Sequence, residues 1–246
     1  MTPLVLLHAF PLNAAMYAQV TDDFHGQLLT PNLPGFGGTG VPDEEPSIDV
    51  YVDHVARELD AAGLDRVVIG GTSMGGYTAM AFCRRHRRRV AGLALIDTKA
   101  SADAEPAAAG RRAMAQVMRD QATTVPLLED VYPKLLGVTT HAQRPELAAS
   151  VRASVSAAPP AAAAWAQLAM AVRPDSVPTL AVINVPALVV VGAEDVLSPP
   201  SDAEAMAAVL SDGELVVIAD AGHLTPLEAP AEVASALRRL MRRVDG

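Results

Sequence analysis

The chain has 246 residues, of which half are apolar and 19% are charged, and its net charge is −9. These values fit one large globular domain and exclude a disordered chain. The acidic excess argues against a nucleic-acid partner, because affinity for phosphate backbones needs clustered positive charge. We interpret the short basic run at 84–89 as the solvated end of a helix, where cations meet the negative end of the helix dipole.

The sequence shows no sign of export or membrane insertion. It has no apolar run of about 18 residues, and no basic segment followed by an apolar stretch and a cleavage site. Its single cysteine, Cys83, cannot form an internal disulfide and lies in an apolar helical stretch, so we interpret it as a core residue. We therefore expect a cytoplasmic protein without membrane spans.

Short apolar runs alternate with longer helical stretches along the chain. Apolar runs without polar alternation are typical of strands that are covered on both faces. The predicted strands are Leu4–His8, Gln27–Leu33, Arg66–Thr72, Val90–Asp97, Ala187–Asp195 and Glu214–Ala221. The predicted helices are Ala14–Asp22, Ser47–Ala62, Met74–His86, Pro199–Leu210 and Glu228–Arg243. This order predicts an α/β fold with about six strands in a mostly parallel sheet and helices on both faces.

One long segment interrupts this rhythm. About ninety residues between Asp97 and Ala187 contain no convincing strand, and we interpret them as short helices separated by prolines. A connection of this length inside a compact domain is usually either functional or mis-assigned. We therefore expect residues 99–182 to form a helical lid, inserted into a core made of residues 1–98 and 183–246.

The candidate catalytic residues directly follow the predicted strands. This position is informative because ligands of an open parallel sheet bind beyond the carboxyl ends of its strands. The sequence Gly71-Thr72-Ser73-Met74-Gly75 lies between a strand and a helix and matches G-x-S-x-G. Its glycines allow a sharp turn that lifts the Ser73 hydroxyl clear of the sheet. The turn also leaves the Met74 N–H at a helix N-terminus, where it can stabilise an oxyanion. Ser73 is the candidate nucleophile.

A serine hydroxyl needs an adjacent base near neutral pH, and the imidazolium that forms needs a nearby negative charge. His223 lies on the loop after the last predicted strand and is the candidate base, whereas His25 is assigned to a loop without a role. Asp195 ends the fifth predicted strand and is the preferred acid. Asp97, at the end of the fourth strand, is the alternative.

A second glycine-rich stretch, at 35–40, formally matches G-x-G-x-x-G. A dinucleotide-binding loop must open directly into a helix, but here residues 41–46 follow, and the prolines among them prevent a helix from starting. The chain also has no H-E-x-x-H motif and no clustered Cys/His spacing. We therefore expect neither a cofactor nor a metal ion.

With these motifs the chain resembles the α/β-hydrolase superfamily, in particular small serine esterases and lactonases of the 3-oxoadipate enol-lactonase type. The resemblance rests on residues 7–11, 32–37, 71–76, 192–195 and 222–223, and it spans nearly the whole chain except the lid. It implies an oxyanion hole built from the backbone N–H groups of Phe10 and Met74, with Ala9 in place of the family's usual glycine. It also implies a structural role for His8, and hydrolysis of an ester-like bond through an acyl-enzyme without a cofactor.

The substrate is predicted only in outline. We expect Trp165, Met114 and Leu127 of the lid to line an apolar pocket for a small or medium-sized acyl group. The candidate anchors for a substrate carboxylate are Arg111, Arg112 and Arg152, although we interpret all three as exposed. The same triad also serves carbon–carbon bond hydrolases, thioesterases and perhydrolases, and the fold also serves non-catalytic small-molecule binding proteins, so these alternatives stay open. The oligomeric state is not indicated.

Overall fold

A parallel sheet forms the centre of the protein. Within residues 1–24 and 26–246, which the computed structural model describes, six strands lie in the order β2-β1-β3-β4-β5-β6, and every neighbouring pair is parallel. The strands are β1 (Leu4–Leu7), β2 (Leu28–Leu29), β3 (Val67–Thr72), β4 (Val90–Ile96), β5 (Ala187–Gly192) and β6 (Gly213–Ile218). Strands β1, β3, β4 and β5 are buried throughout. The predicted α/β fold is confirmed, whereas the loop assignment of His25 lies outside the described residues.

Strand β2 is much shorter than the sequence suggests. A strand was expected over residues 27–33, but only Leu28 and Leu29 pair with β1. Pro31 and Pro34 follow closely, and a proline has no N–H group to donate to a strand ladder. Because β2 lies at the edge of the sheet, the chain leaves the ladder after two residues.

Helices cover both faces of the sheet. Helix α11 packs on β4 and β5 and against α1, whereas α3 packs on β1, β3 and β4 and against α2 and α8. The α-helices are α1 (Ala18–Asp23), α2 (Ile48–Ala61), α3 (Met74–Arg85), α4 (Glu105–Gln121), α5 (Val138–Gln143), α6 (Pro145–Ser156), α7 (Pro160–Ala171), α8 (Val177–Leu180), α9 (Pro200–Val209), α10 (Thr225–Glu228) and α11 (Pro230–Asp245). None of them, in the described part of the chain, is long and apolar enough to cross a membrane.

The basic run at 84–89 ends a helix, as predicted. Helix α3 ends at Arg85, and the guanidinium groups of Arg84 and Arg85 pair with Asp49 and Asp53 of α2 at 2.6 Å. The run therefore serves to attach α3 to α2 at the surface. Cys83, directly before the run, is buried in the core.

The segment between β4 and β5 is helical, and its residues from 97 to 186 contain no strand. Helices α4, α6, α7 and α8 each have a proline in the first turn, where its fixed φ fits the helix and its missing N–H is not needed. The long helix α4 packs along α7. Four of the prolines that punctuate this part of the sequence thus lie at helix starts.

The strand order creates a crevice at one point of the sheet. From β1 the chain moves outward to β2 and then returns to the other side of β1 to form β3. Such a reversal separates the loops that follow the two central strands, and ligands bind between these loops. Here the two loops carry Phe10 and Ser73.

Candidate active site

Ser73 occupies a strained turn between β3 and α3. Its φ of 54° and ψ of −112° lie in a region that residues with a side chain rarely adopt, at a cost of about 1–3 kcal/mol. The Ser73 N–H donates to the carbonyl oxygen of Ile96 at 3.0 Å, and Thr98 Oγ1 donates to the Ser73 carbonyl at 2.9 Å. Gly75 is required because a Cβ there would overlap the Leu7 carbonyl oxygen. Neighbouring strands therefore hold the turn in place.

The Tyr17 hydroxyl is hydrogen-bonded to the ends of β1 and β3, next to this turn. The hydroxyl donates to the Leu7 carbonyl at 2.8 Å, accepts from the Thr72 N–H at 3.1 Å and lies 2.8 Å from Thr72 Oγ1. The side chain is fully buried, and burial raises the pKa of the Tyr17 phenol, which therefore stays neutral. Sequence reasoning missed this residue, because a tyrosine among apolar neighbours in a first helix resembles any core residue.

The structure brings the three predicted triad residues into one hydrogen-bonded chain. Ser73 Oγ lies 2.8 Å from His223 Nε2, and His223 Nδ1 lies 2.8 Å from Asp195 Oδ2. The other carboxylate oxygen of Asp195 accepts the N–H groups of Leu197 and Ser198 at 2.8 and 3.0 Å. His223 and Asp195 are each only 3% exposed. The serine, the base and the acid thus come from three different strand ends.

Asp97 takes a different position from Asp195. Its Oδ2 accepts the N–H and the hydroxyl of Thr225 at 2.8 and 2.7 Å, and its Oδ1 accepts the Gly192 N–H at 3.2 Å. Burial, together with the charge of Asp195, raises the pKa of Asp97. Asp97 therefore connects the ends of β4 and β5 to the start of α10, while Asp195 contacts the imidazole.

Two glutamates attach the His223 loop to the segment between β4 and β5. The buried carboxylate of Glu228 accepts the N–H groups of Gly137, Gly222 and Leu224 at 2.8 to 3.1 Å. Glu194 accepts the Thr139 N–H at 2.9 Å and the Thr139 hydroxyl at 2.6 Å. Sequence reasoning did not identify Glu228, because its partner Gly137 is 91 residues away.

The first loop of the crevice contains the predicted oxyanion donor Phe10. His8 braces this loop, because its Nε2 accepts the Leu33 N–H at 3.0 Å and its Nδ1 lies 3.0 Å from the Ala9 carbonyl. Burial lowers the pKa of His8 to about 4, so the ring is neutral. Phe10 lies beside the same cavity as Ser73, and Met74, the first residue of α3, is buried directly after the serine.

A cavity of about 100 Å³ opens beside Ser73 and His223. Its apolar wall consists of Phe10, Val131, Leu135, Met170 and Leu197. Its polar wall consists of Tyr77, Lys99, Arg111, Gln167 and Ser198. The expected apolar pocket is therefore corrected to a mixed one. A larger cavity of about 420 Å³ lies near the amino ends of β1 and β2, whereas Ser73 lies at the carboxyl end of β3.

The three predicted pocket residues lie elsewhere. The centre of the Trp165 ring lies 5.1 Å from that of Tyr51, and Trp165 Nε1 donates to the Glu44 carbonyl. Met114 Sδ accepts from Gln167 Nε2. Leu127 is fully buried. None of the three lines the cavity beside Ser73 as described. Helix α7 is largely apolar, so the sequence did not indicate which of its sides faces the site. Arg111, which was expected to be exposed, is among the lining residues.

Comparisons with known proteins support the fold. A family model described as the alpha/beta hydrolase fold matches residues 2–230. The pimeloyl-[acyl-carrier protein] methyl ester esterase of Aromatoleum aromaticum is 30% identical, over 97% of this chain and 98% of its own. The chain therefore belongs to the alpha/beta hydrolase family, as its motifs indicated.

Two solved structures illustrate the likeness. A thermophilic esterase from Thermogutta terrifontis, solved with malate bound, superposes with a TM-score of 0.95 at 38% identity, covering 99% of this chain and 90% of that one. The enol-lactonase from Burkholderia xenovorans superposes with a TM-score of 0.88 at 22% identity, covering 98% and 92%. At that lower identity, the second likeness supports the fold.

Proposed function

We propose that the protein is a serine hydrolase that cleaves a carboxylic ester or lactone of a small substrate through an acyl-enzyme. The observation that carries this proposal is the unbroken chain of hydrogen bonds from Ser73 through His223 to Asp195, which ends at a cavity. The likeness to named esterases over nearly the whole chain supports ester hydrolysis.

The proposed reaction begins at Ser73. His223 Nε2 takes the proton of the Ser73 hydroxyl as the oxygen attacks the carbonyl carbon, and Asp195 stabilises the imidazolium. The N–H groups of Phe10 and Met74 stabilise the oxyanion. His223 then gives its proton to the leaving oxygen, and the carbonyl–oxygen bond breaks. A water molecule, deprotonated by His223, hydrolyses the acyl-enzyme and restores the serine.

Residues 99–182 supply much of the cavity wall and are proposed as the lid. Arg111, Val131, Leu135, Gln167 and Met170 all come from this segment. The cavity is smaller than the roughly 300–1,000 Å³ typical of small-molecule pockets. We therefore propose that the substrate places a short group here.

The direct test is covalent labelling with a fluorophosphonate, with the adduct located by mass spectrometry. We expect rapid modification of Ser73 in the folded protein, because only a serine activated by a base reacts quickly with this probe. Ser73→Ala should abolish labelling, and Ser176→Ala, which removes a buried serine outside the cavity, should retain it. A folded wild-type protein without an adduct would contradict the hydrolase proposal and favour a non-catalytic binding protein.

The pH dependence of hydrolysis should report His223. Burial lowers the pKa of this imidazole, but the charge of Asp195 and the hydrogen bond to it outweigh burial, so that the pKa lies above its ordinary value of 6.5. Because the base must be neutral to accept the serine proton, activity falls as the pH drops through this pKa. We expect kcat/KM for a neutral ester to lose half its plateau value at a pH above 6.5. An acid limb centred at or below pH 6.5 would contradict the raised pKa.

A further inference from the structure

The cavity beside Ser73 carries positive charge although the chain as a whole is acidic. Lys99 and Arg111 line it with side chains that are 23% and 24% exposed, and none of its described lining residues is acidic. The chain has a net charge of −9 and has lysine only at positions 99 and 134. One of its two lysines is thus at the candidate active site.

A buried carboxylate holds these cations in place. Asp103 Oδ2 accepts from Arg111 Nε at 2.6 Å, and Asp103 Oδ1 lies 3.5 Å from Lys99 Nζ. Arg173, itself buried, pairs with the same carboxylate at 2.8 Å. Burial opposes ionisation, but the hydrogen bonds and charges of Arg173 and Arg111 outweigh it and hold the pKa of Asp103 below its usual range. Three cations therefore surround one carboxylate, so that two of the positive charges have no counterion among the described residues.

Both cations keep hydrogen-bond donors that no described residue uses. Arg111 uses Nε for Asp103 and Nη1 for Gln167 Oε1, and within the described residues its Nη2 has no partner. Lys99 Nζ makes a single ion pair at 3.5 Å and no hydrogen bond to any described residue. Arg173 adds positive charge from behind, because its guanidinium lies 4.1 Å from the centre of the Tyr77 ring, which lines the cavity.

We propose that Lys99 and Arg111 bind a carboxylate, and that the preferred substrates are small esters with a free carboxylate a few atoms from the ester bond. The ester carbonyl lies at Ser73 while the carboxylate accepts from the two cations, and the cavity of about 100 Å³ keeps the two groups close together. This inference rests on the proposed ester hydrolysis. It adds to it the chemical class of the substrate.

The test compares esters that differ only in charge. Monoethyl succinate is paired with ethyl succinamate, and acetoxyacetate with acetoxyacetamide, so that the carboxylate lies on the acyl or on the alcohol side of the ester. Hydrolysis is followed by pH-stat titration. For at least one pair, we expect kcat/KM to be about tenfold higher for the acid than for the amide, and to decrease toward parity at high salt.

Variants separate recognition from structural damage. Lys99→Gln and Arg111→Gln should each reduce the acid-to-amide ratio of kcat/KM about threefold. Arg111→Lys should reduce it less than Arg111→Gln, because lysine keeps the charge although it loses the guanidinium fork. Lys134→Gln removes the same charge from an exposed position and should retain the ratio. If Lys99 and Arg111 served folding alone, their replacement would lower kcat/KM equally for both substrates of a pair. The ratio would then stay unchanged, which would overturn the inference.

Succinate binding gives a readout that does not depend on turnover. Calorimetry should show that Lys99→Gln weakens the binding of succinate about tenfold while Lys134→Gln does not. If the amide esters are hydrolysed but neither pair shows a preference for the acid, the carboxylate site is wrong and the proposed hydrolase stands. If no ester is hydrolysed and Ser73 is not labelled, the hydrolase proposal fails. Absence of succinate binding to the wild-type protein would then overturn the carboxylate site as well.

Discussion

Replacement of Ser73 by alanine is expected to lower kcat for an activated ester by about 10⁴- to 10⁶-fold. The substitution removes the atom that attacks the carbonyl but keeps a Cβ, so the strained turn at φ 54° stays under the same constraint. His223→Ala should cost a similar factor, and the double variant hardly more, because nucleophile and base act as one unit. Steady-state kinetics of the three variants, with thermal unfolding to confirm the fold, checks this.

The decisive comparison is between the single and the double variants. Losses that multiply in the double variant would mean that Ser73 and His223 act independently, which contradicts the 2.8 Å contact between Oγ and Nε2 as the catalytic one. A folded Ser73→Ala protein with wild-type kcat would show that another residue is the nucleophile.

Replacement of Asp195 by asparagine is expected to lower kcat by about 10⁴-fold with little change in stability. The amide removes the negative charge that stabilises the imidazolium, and it can donate to His223 Nδ1 and so favour the wrong tautomer. Asp97→Asn is the matched control, because Asp97 is also a buried carboxylate at a strand end. Kinetics and urea unfolding of both variants are the measurements.

The control should show the opposite pattern. All three hydrogen bonds of Asp97 come from donors on Gly192 and Thr225, so an amide N–H of the new side chain must face one of them. We expect Asp97→Asn to lose about 1–3 kcal/mol of stability and to keep kcat within about tenfold. If Asp97→Asn instead loses as much kcat as Asp195→Asn, the assignment of the acid is wrong.

The sequence was informative wherever local pattern and position in the sheet decide the outcome. Continuous apolar runs predicted the buried strands. Ligands bind at the carboxyl ends of such strands, and this rule distinguished Ser73, Asp195 and His223 from the other serines, aspartates and histidines of the chain. The shortness of β2 has a local cause as well, since Pro31 and Pro34 follow its two paired residues.

What the sequence did not indicate depends on contacts between distant parts of the chain. Trp165 looked like a pocket residue, but its orientation is decided by Tyr51 and the Glu44 carbonyl, more than a hundred residues earlier. Similarly, the place of Arg111 beside the cavity depends on Asp103 and Gln167, and no periodicity of its own helix reveals these partners.

The carboxylate of Glu228 links the loop of the proposed base to the proposed lid. It receives N–H groups from Gly137 in the lid and from Gly222 and Leu224 on either side of His223, all at once. If the lid moved outward at Gly137, one oxygen of a buried anion would lose its only described partner, and the loop beside it would lose rigidity. In the proposed hydrolase, we therefore expect the opening of the lid and the orientation of the His223 imidazole to be coupled, so that the imidazole is best oriented toward Ser73 when Gly137 contacts Glu228.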